Sequence, residues 1–327
     1  MLGIAGTAVA AGEAALFRAH PPVGIALFRR NVETPEQLRA LIAALRDLLG
    51  PEAPILVDQE GGRVARLSPP QWRGHPPAAA IGHLHGRDAA AGLRAAWLTG
   101  ALIGGECAAA GIDVVAAPVL DLRLAEAHEV IGDRAYAADP QTVAALGRAM
   151  AAGLLAAGVQ PVGKHVPGHG RARADSHRTL PVVDADDLSD DMLPFAANAD
   201  LPWMMTAHIT YRSLDPSRPA TLSPRVLGGV VRGGIGFGGL LVSDDLAMQA
   251  LDGPPAARAL GALAAGCDLA LYCPGDEAGN AAVLRACPPL SGAATARLAA
   301  GRALAAARRQ GLDAASLAAE RARLLPA

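Results

Sequence analysis

Short, continuous apolar runs recur along the chain at positions 2–9, 23–28, 54–58, 113–120, 160–165, 203–208, 239–244 and 268–273. None alternates polar with apolar residues. A strand covered on both faces reads this way, as in a parallel sheet wrapped by helices. Stretches with helical spacing of apolar residues lie between most of the runs. The clearest covers 35–49. Thr34 serves as N-cap, Pro35 takes the first helical position and Gln37 completes a capping box. Leu38, Leu41, Ile42, Leu45 and Leu49 then share one face, and Gly50 ends the helix. Asp139-Pro140 opens a second helix that closes at Gly158, and a third runs from near Leu246 to near Gly266. Two more, near 293–309 and 314–324, follow the last run.

Eight strands alternating with helices over roughly 270 residues predict an α/β fold, a single (β/α)₈ barrel of the TIM type. It is expected to occupy 1–327 as one domain, with terminal helices from about 277. An open doubly wound sheet is the alternative, but no G-x-G-x-x-G follows an early strand.

Composition narrows the class. Hydrophobic residues are 51% of the chain and charged residues 18%, enough for a large core and too apolar for disorder. With aromatics at 3%, that core has to be built from Ala, Leu, Val and Ile. A net charge of -2 leaves no electrostatic footprint for nucleic acid, and no polybasic block suggests a membrane surface. Cys107, Cys267, Cys273 and Cys287 form neither a C-x-x-C pair nor a disulfide framework. The apolar start has no Lys or Arg ahead of it and is interrupted by Glu13, so it reads as a first strand and not a signal peptide. A cytoplasmic monomer without cofactor is the expectation.

In a barrel the reacting groups come from the C-terminal ends of strands. Here the run at 54–58 ends in Asp58, 160–165 ends in Lys164-His165, 203–208 ends in His208 and 239–244 ends in Asp244, with Asp245 next. Any one such residue alone is more often a turn former or helix cap. Four ends together place polar groups around one mouth, where they need water or a ligand. Asp245 leaves the strand on the opposite side from Asp244 and is assigned to capping the helix near Leu246.

The stretch KHVPGHGRARADSH, 164–177, carries three histidines in a glycine-rich loop. His165 and His169 are four apart, but Pro167 and Gly168 break the helix a metal site would need, and the H-E-x-x-H glutamate is missing. Asp175 and His177, one residue apart, can lie on the same side of an extended segment as an acid/base dyad, the carboxylate setting the tautomer of the imidazole. Two solvated loop residues are the plainer alternative.

Five segments, LVDQEGGRVARL, VIGDRAYAADP, KHVPGHGRARADSH, MMTAHITYRSLD and LLVSDDLAM, resemble in order and spacing the β-N-acetylhexosaminidases of glycoside hydrolase family 3, of the NagZ type. The likeness runs from about Ala19 to about Pro274. It implies Asp244 as nucleophile and His177 as general acid/base partnered by Asp175. It further implies Asp58, Arg66, Arg134, Lys164, His165 and His208 as substrate-binding residues. The implied activity is removal of terminal N-acetylglucosamine, with retention, from cell-wall muropeptides (N-acetylglucosaminyl-anhydromuramoyl peptides) through a covalent glycosyl-Asp244. Val166 stands where the family usually has Phe, and Arg171 and Arg173 add charge to the loop. Competing expectations are a phosphorylase on the same scaffold, since a histidine acid/base does not repel phosphate, a zinc hydrolase using His165, His169 and His177, and a silent sugar-binding barrel.

Overall fold

The computed structural model describes residues 1–176 and 178–325. Each apolar run holds one strand of a single parallel sheet: β1 (Leu2–Gly3), β2 (Ile25–Leu27), β3 (Ile55–Val57), β4 (Val114–Val115), β5 (Gln160–Val166), β6 (Trp203–Thr206), β7 (Leu240–Asp245) and β8 (Leu269–Leu271). Spatial order follows chain order. The sheet closes on itself through a parallel bridge between Leu2 and Tyr272, where Gly3 N donates to Tyr272 O at 2.8 Å and Tyr272 N to Met1 O at 3.1 Å. The expected (β/α)₈ barrel is thus the fold found.

Why the runs are continuous is visible in how their side chains divide. Ile25 and Leu27 of β2, Ile55 and Val57 of β3 and Leu241 of β7 point outward into the core shared with the helices. Ala26, Leu56, Leu240 and Val242 point inward, where they pack with Val162, Trp203 and Met205 as the filled barrel interior. With both faces buried, neither set can be polar.

The helices are α1 (Ala11–Ala19), α2 (Pro35–Leu49), α3 (Ala78–Arg87), α4 (Ala89–Ala110), α5 (Pro140–Ala156), α6 (Ser189–Ala197), α7 (Pro255–Ala265), α8 (Glu277–Ala286), α9 (Gly292–Arg308) and α10 (Ala314–Leu324). Helix α2 starts as its sequence demands, with Thr34 Oγ1 accepting the Gln37 N–H at 3.2 Å. Asp139 caps α5 through the Thr142 N–H at 2.8 Å. Helices α4 and α5 touch backbone to backbone. A Cβ on Gly100 would lie 2.1 Å from the Met150 carbonyl oxygen, and one on Gly153 2.1 Å from that of Trp97.

One boundary differs from the pattern. The helix expected from near Leu246 begins only at Pro255, because Gly253 adopts φ +90° and Pro254 and Pro255 follow it. Residues 246–254 form turns beside the barrel mouth instead. Among the described residues no helix is long and apolar enough to cross a membrane.

Candidate active site

At the C-terminal ends of the strands lies a cavity of 390 Å³, and it gathers Asp58, Arg66, Arg134, Lys164, His165 and Asp244 on its walls. Asp58 comes directly after β3. The chain then turns back as a small antiparallel ladder, Gln59–Gly61 against Val64–Ala65. Buried Gln59 pins this arm: its Oε1 accepts the N–H groups of Arg66 and Leu67 at 2.7 and 3.0 Å. The arm carries Glu60 and Arg66 toward Asp58 and Lys164.

These groups form one ionic cluster. Lys164 Nζ donates to Asp58 Oδ1 at 2.8 Å and lies 2.6 Å from Glu60 Oε1. Arg66 Nη2 donates to Asp58 Oδ2 at 2.9 Å. Arg134 grips Glu60 with Nε and Nη2, both at 2.8 Å, the fork geometry that suits guanidinium to carboxylate. Burial alone would raise both carboxyl pKa values. Lys164 and Arg66 at Asp58, and Arg134 and Lys164 at Glu60, reverse that and hold both below the carboxylate range. Burial would likewise discharge Lys164, but Asp58 and Glu60 hold it above the usual lysine value. The cluster therefore stays charged, presenting fixed donors and acceptors to the hydroxyls of a ligand. Arg63 supports it from the rim. Its Nε bonds Asp133 at 2.8 Å, and its Nη2 takes the carbonyls of Glu129, Val130 and Ile131 at 2.6, 2.9 and 3.1 Å, fixing the loop that delivers Arg134.

Successive strand residues normally face opposite ways, yet Lys164 and His165 both line the cavity. The ladder between β5 and β6 slips register between Lys164 and Val166, and this local break aims both side chains at the mouth. His165 Nδ1 is 2.7 Å from Asp121 Oδ2. The rings of His165 and His169 cross at 66° with centroids 5.7 Å apart. Among the described residues no group of three His, Cys, Asp or Glu side chains is arranged to hold a metal.

Asp244, next to last in β7, stands at the cavity wall, its Oδ1 accepting the Asp245 N–H at 2.8 Å. Burial pushes its pKa up. The imidazoles of His165 and His208, the Asp245 N–H and Lys164 outweigh that and leave it below the ordinary value, so an ionised carboxylate faces the cavity. Asp245 also lines the cavity, where the register between β7 and β8 shifts. Its Oδ1 accepts the N–H of Ala247 at 2.9 Å and of Cys273 at 3.0 Å. It caps a turn and ties two strand ends together; it does not cap the helix expected to follow.

His208 sits apart from the other expected ligands. It is fully buried and absent from the cavity wall. Nε2 donates to the Asp245 carbonyl at 3.0 Å and Nδ1 sits 2.8 Å from Thr221 Oγ1, so neither nitrogen is left for a substrate. Its place is beneath the Asp244–Asp245 corner.

The loop after β5 returns to the mouth at Ser176, whose side chain lines the cavity. Asp175 is mostly buried, with the Arg178 Nε at 3.9 Å from its Oδ2. His177, expected as the acid/base, lies outside the described residues. Two residues joined to the site went unread in the sequence, Glu60 and Asp121. Glu60 stands within the QEGGR segment, and Asp121 directly follows the run at 113–120, so the strand-end rule that picked Asp58 also points to it.

Known proteins resemble this chain closely. Residues 6–287 match the glycosyl hydrolase family 3 N terminal domain. A β-hexosaminidase of Alkalilimnicola ehrlichii is 43% identical over 297 residues, 88% of this chain and 84% of that protein. The native NagZ structure from Neisseria gonorrhoeae superposes with a TM-score of 0.89 at 33% identity, covering 100% of this chain and 97% of that one. The same protein in complex with N-trifluoroacetyl-D-glucosamine gives 0.88 at 33%, covering 99% and 97%.

Proposed function

This chain belongs to glycosyl hydrolase family 3, and from that premise we propose that it is a β-N-acetylhexosaminidase that removes terminal N-acetylglucosamine with retention of configuration. The observation that carries the reading is Asp244. It is a half-buried carboxylate kept ionised at the wall of a cavity whose other side is the Asp58–Lys164–Glu60–Arg134 cluster. The charged cluster holds hydroxyl and acetamido groups of the sugar, and the anionic oxygen attacks the anomeric carbon.

In the first half-reaction His177, partnered by Asp175, gives its proton to the leaving oxygen as a glycosyl-Asp244 ester forms. In the second it takes a proton from water as the ester is cleaved. Ser176 at the cavity wall supports this assignment, since it is the residue between the two dyad members. Arg66, Arg134, Lys164 and His165 are the substrate ligands we assign beside Asp58.

We assign the natural substrate to muropeptides carrying terminal N-acetylglucosamine, met in the cytoplasm by a monomeric enzyme. The four unpaired cysteines are consistent with a reducing compartment. The test is product analysis on such a muropeptide, with the anomer identified by NMR and the ester trapped on a slow fluorinated glycoside and located by mass spectrometry. A β-anomer and a label on Asp244 are expected. An α-anomer, or a label elsewhere, rejects the mechanism. Sugar 1-phosphate formed when phosphate is added reassigns the enzyme as a phosphorylase.

A further inference from the structure

Asp121 directly follows the run at 113–120 that holds β4, wholly buried and outside the cavity wall. Its Oδ1 accepts two backbone N–H groups, from His165 at 3.1 Å and from His169 at 2.7 Å. Its Oδ2 faces His165 Nδ1 at 2.7 Å. Burial would raise its pKa, but the two histidines and their hydrogen bonds bring it down to about 2. An ionised carboxylate only accepts hydrogen bonds. A proton on His165 Nδ1 is thereby held between ring and carboxylate, and the opposite nitrogen, Nε2, is turned to the cavity that the ring lines.

The same carboxylate reaches further along the chain. Its grip on the His169 N–H fixes the root of the loop. His169 Nε2 in turn lies 3.1 Å from Ser176 Oγ, with both side chains buried. Burial keeps this ring uncharged, its pKa brought down to about 4. Tyr211 OH holds the intervening turn through the Gly168 carbonyl at 2.7 Å.

We infer that Asp121 is a positioning residue for the hydrolysis: it holds the His165 ring by Nδ1 so that Nε2 faces the sugar and, through His169, anchors the loop as far as Ser176. The second half rests on the assignment of His177 as acid/base; the first half does not. No charge-neutral side chain of the same shape does both jobs. In Asp121→Asn the amide oxygen can keep the backbone N–H groups, but the NH₂ then faces the Nδ1–H, donor against donor, so the hydrogen bond that orients the ring is lost.

With an aryl β-N-acetylglucosaminide, Asp121→Asn is expected to raise KM and to lower kcat/KM on the order of 10- to 100-fold. Adding His165→Ala should change KM little further, since the asparagine acts through that ring. An unchanged KM, or effects of the two substitutions that simply add, overturns the first half. Should Asp121→Asn not fold, ¹⁵N NMR of the unmodified enzyme reads the same claim: a proton on His165 Nδ1 is expected, and a ring protonated on Nε2 alone refutes it. Ser176→Ala tests the second half. It should slow glycosides with poor leaving groups more than activated ones, and an equal loss on both rejects the anchoring role. Run alongside, Asp244→Ala and His177→Ala report on the nucleophile and the acid/base independently of the KM coupling between Asp121 and His165.

Discussion

Lys164 and Glu60 meet at 2.6 Å with side chains only 2% and 6% exposed, so each neutralises a charge the other could not leave in water. A pair of this kind is costly to break from one side, because the survivor stays buried. Glu60→Gln leaves three cations, Lys164, Arg66 and Arg134, around the single carboxylate of Asp58. The substitution should destabilise the fold by about 3 kcal/mol. A lower urea midpoint at unchanged m-value would register it, together with weaker binding of N-acetylglucosamine. An unaltered midpoint would mean that the cluster contributes nothing to the fold.

Asp244→Ala removes the carboxylate proposed to attack and leaves the opposite wall of the cavity intact. Turnover of an aryl β-N-acetylglucosaminide should vanish while calorimetry still detects the product sugar. Ordinary activity in this variant would remove the central assignment.

His177→Ala should cost little on substrates whose leaving group departs without a proton, and on the order of 10²-fold or more on alkyl glycosides that need one. The slope of log kcat/KM against leaving-group pKa measures this. A slope unchanged from the parent enzyme places the acid elsewhere.

Stability should begin to fall as pH drops below about 6.5. His169 is held uncharged by burial down to about pH 4, and His208 is depressed in the same direction. Between about pH 6.5 and 4 the unfolded chain takes up a proton on the position-169 ring that the native chain refuses, so stability falls as pH drops through that window. Asp121 continues the trend. With its native pKa near 2 it contributes stability above about pH 4, and this is lost as pH falls toward 2. His169→Gln should flatten the pH 4–6.5 portion of a plot of unfolding free energy against pH, and an identical slope in parent and variant would contradict the account.

Gly170→Ala tests how closely the loop must lie on the barrel. A Cβ there would fall 2.6 Å from the Leu122 carbonyl oxygen and 2.9 Å from its nitrogen, both backbone atoms that cannot swing away. The loop has to lift. Activity on poor leaving groups should drop while Asp58, Lys164 and Glu60 keep their mutual contacts, seen as retained affinity for N-acetylglucosamine. Full activity would show that the close approach is dispensable.

Much of this architecture could be read from residue order alone, since double-sided burial is a property of a run: a strand packed on both faces has to be apolar throughout, wherever its neighbours come from. All eight barrel strands begin inside runs chosen on that ground, and α2 and α5 begin where Thr34 and Asp139 offer caps. Strand-end position likewise brought Asp58, Lys164, His165 and Asp244 to one mouth.

Partnership was another matter. His208 ends its run just as Asp58 does, yet both its ring nitrogens are taken by Thr221 and Asp245 from elsewhere in the chain. Glu60 is paired with Arg134, 74 residues away, and Asp121 with His165, 44 away. Asp245 faces the same cavity as Asp244 because of a register shift that no local rule of alternation foretells. Local chemistry decides whether a segment is buried and what its ends can donate. Which groups then meet depends on barrel closure and strand register, which are set by the packing of the whole chain and recorded in no single segment of it.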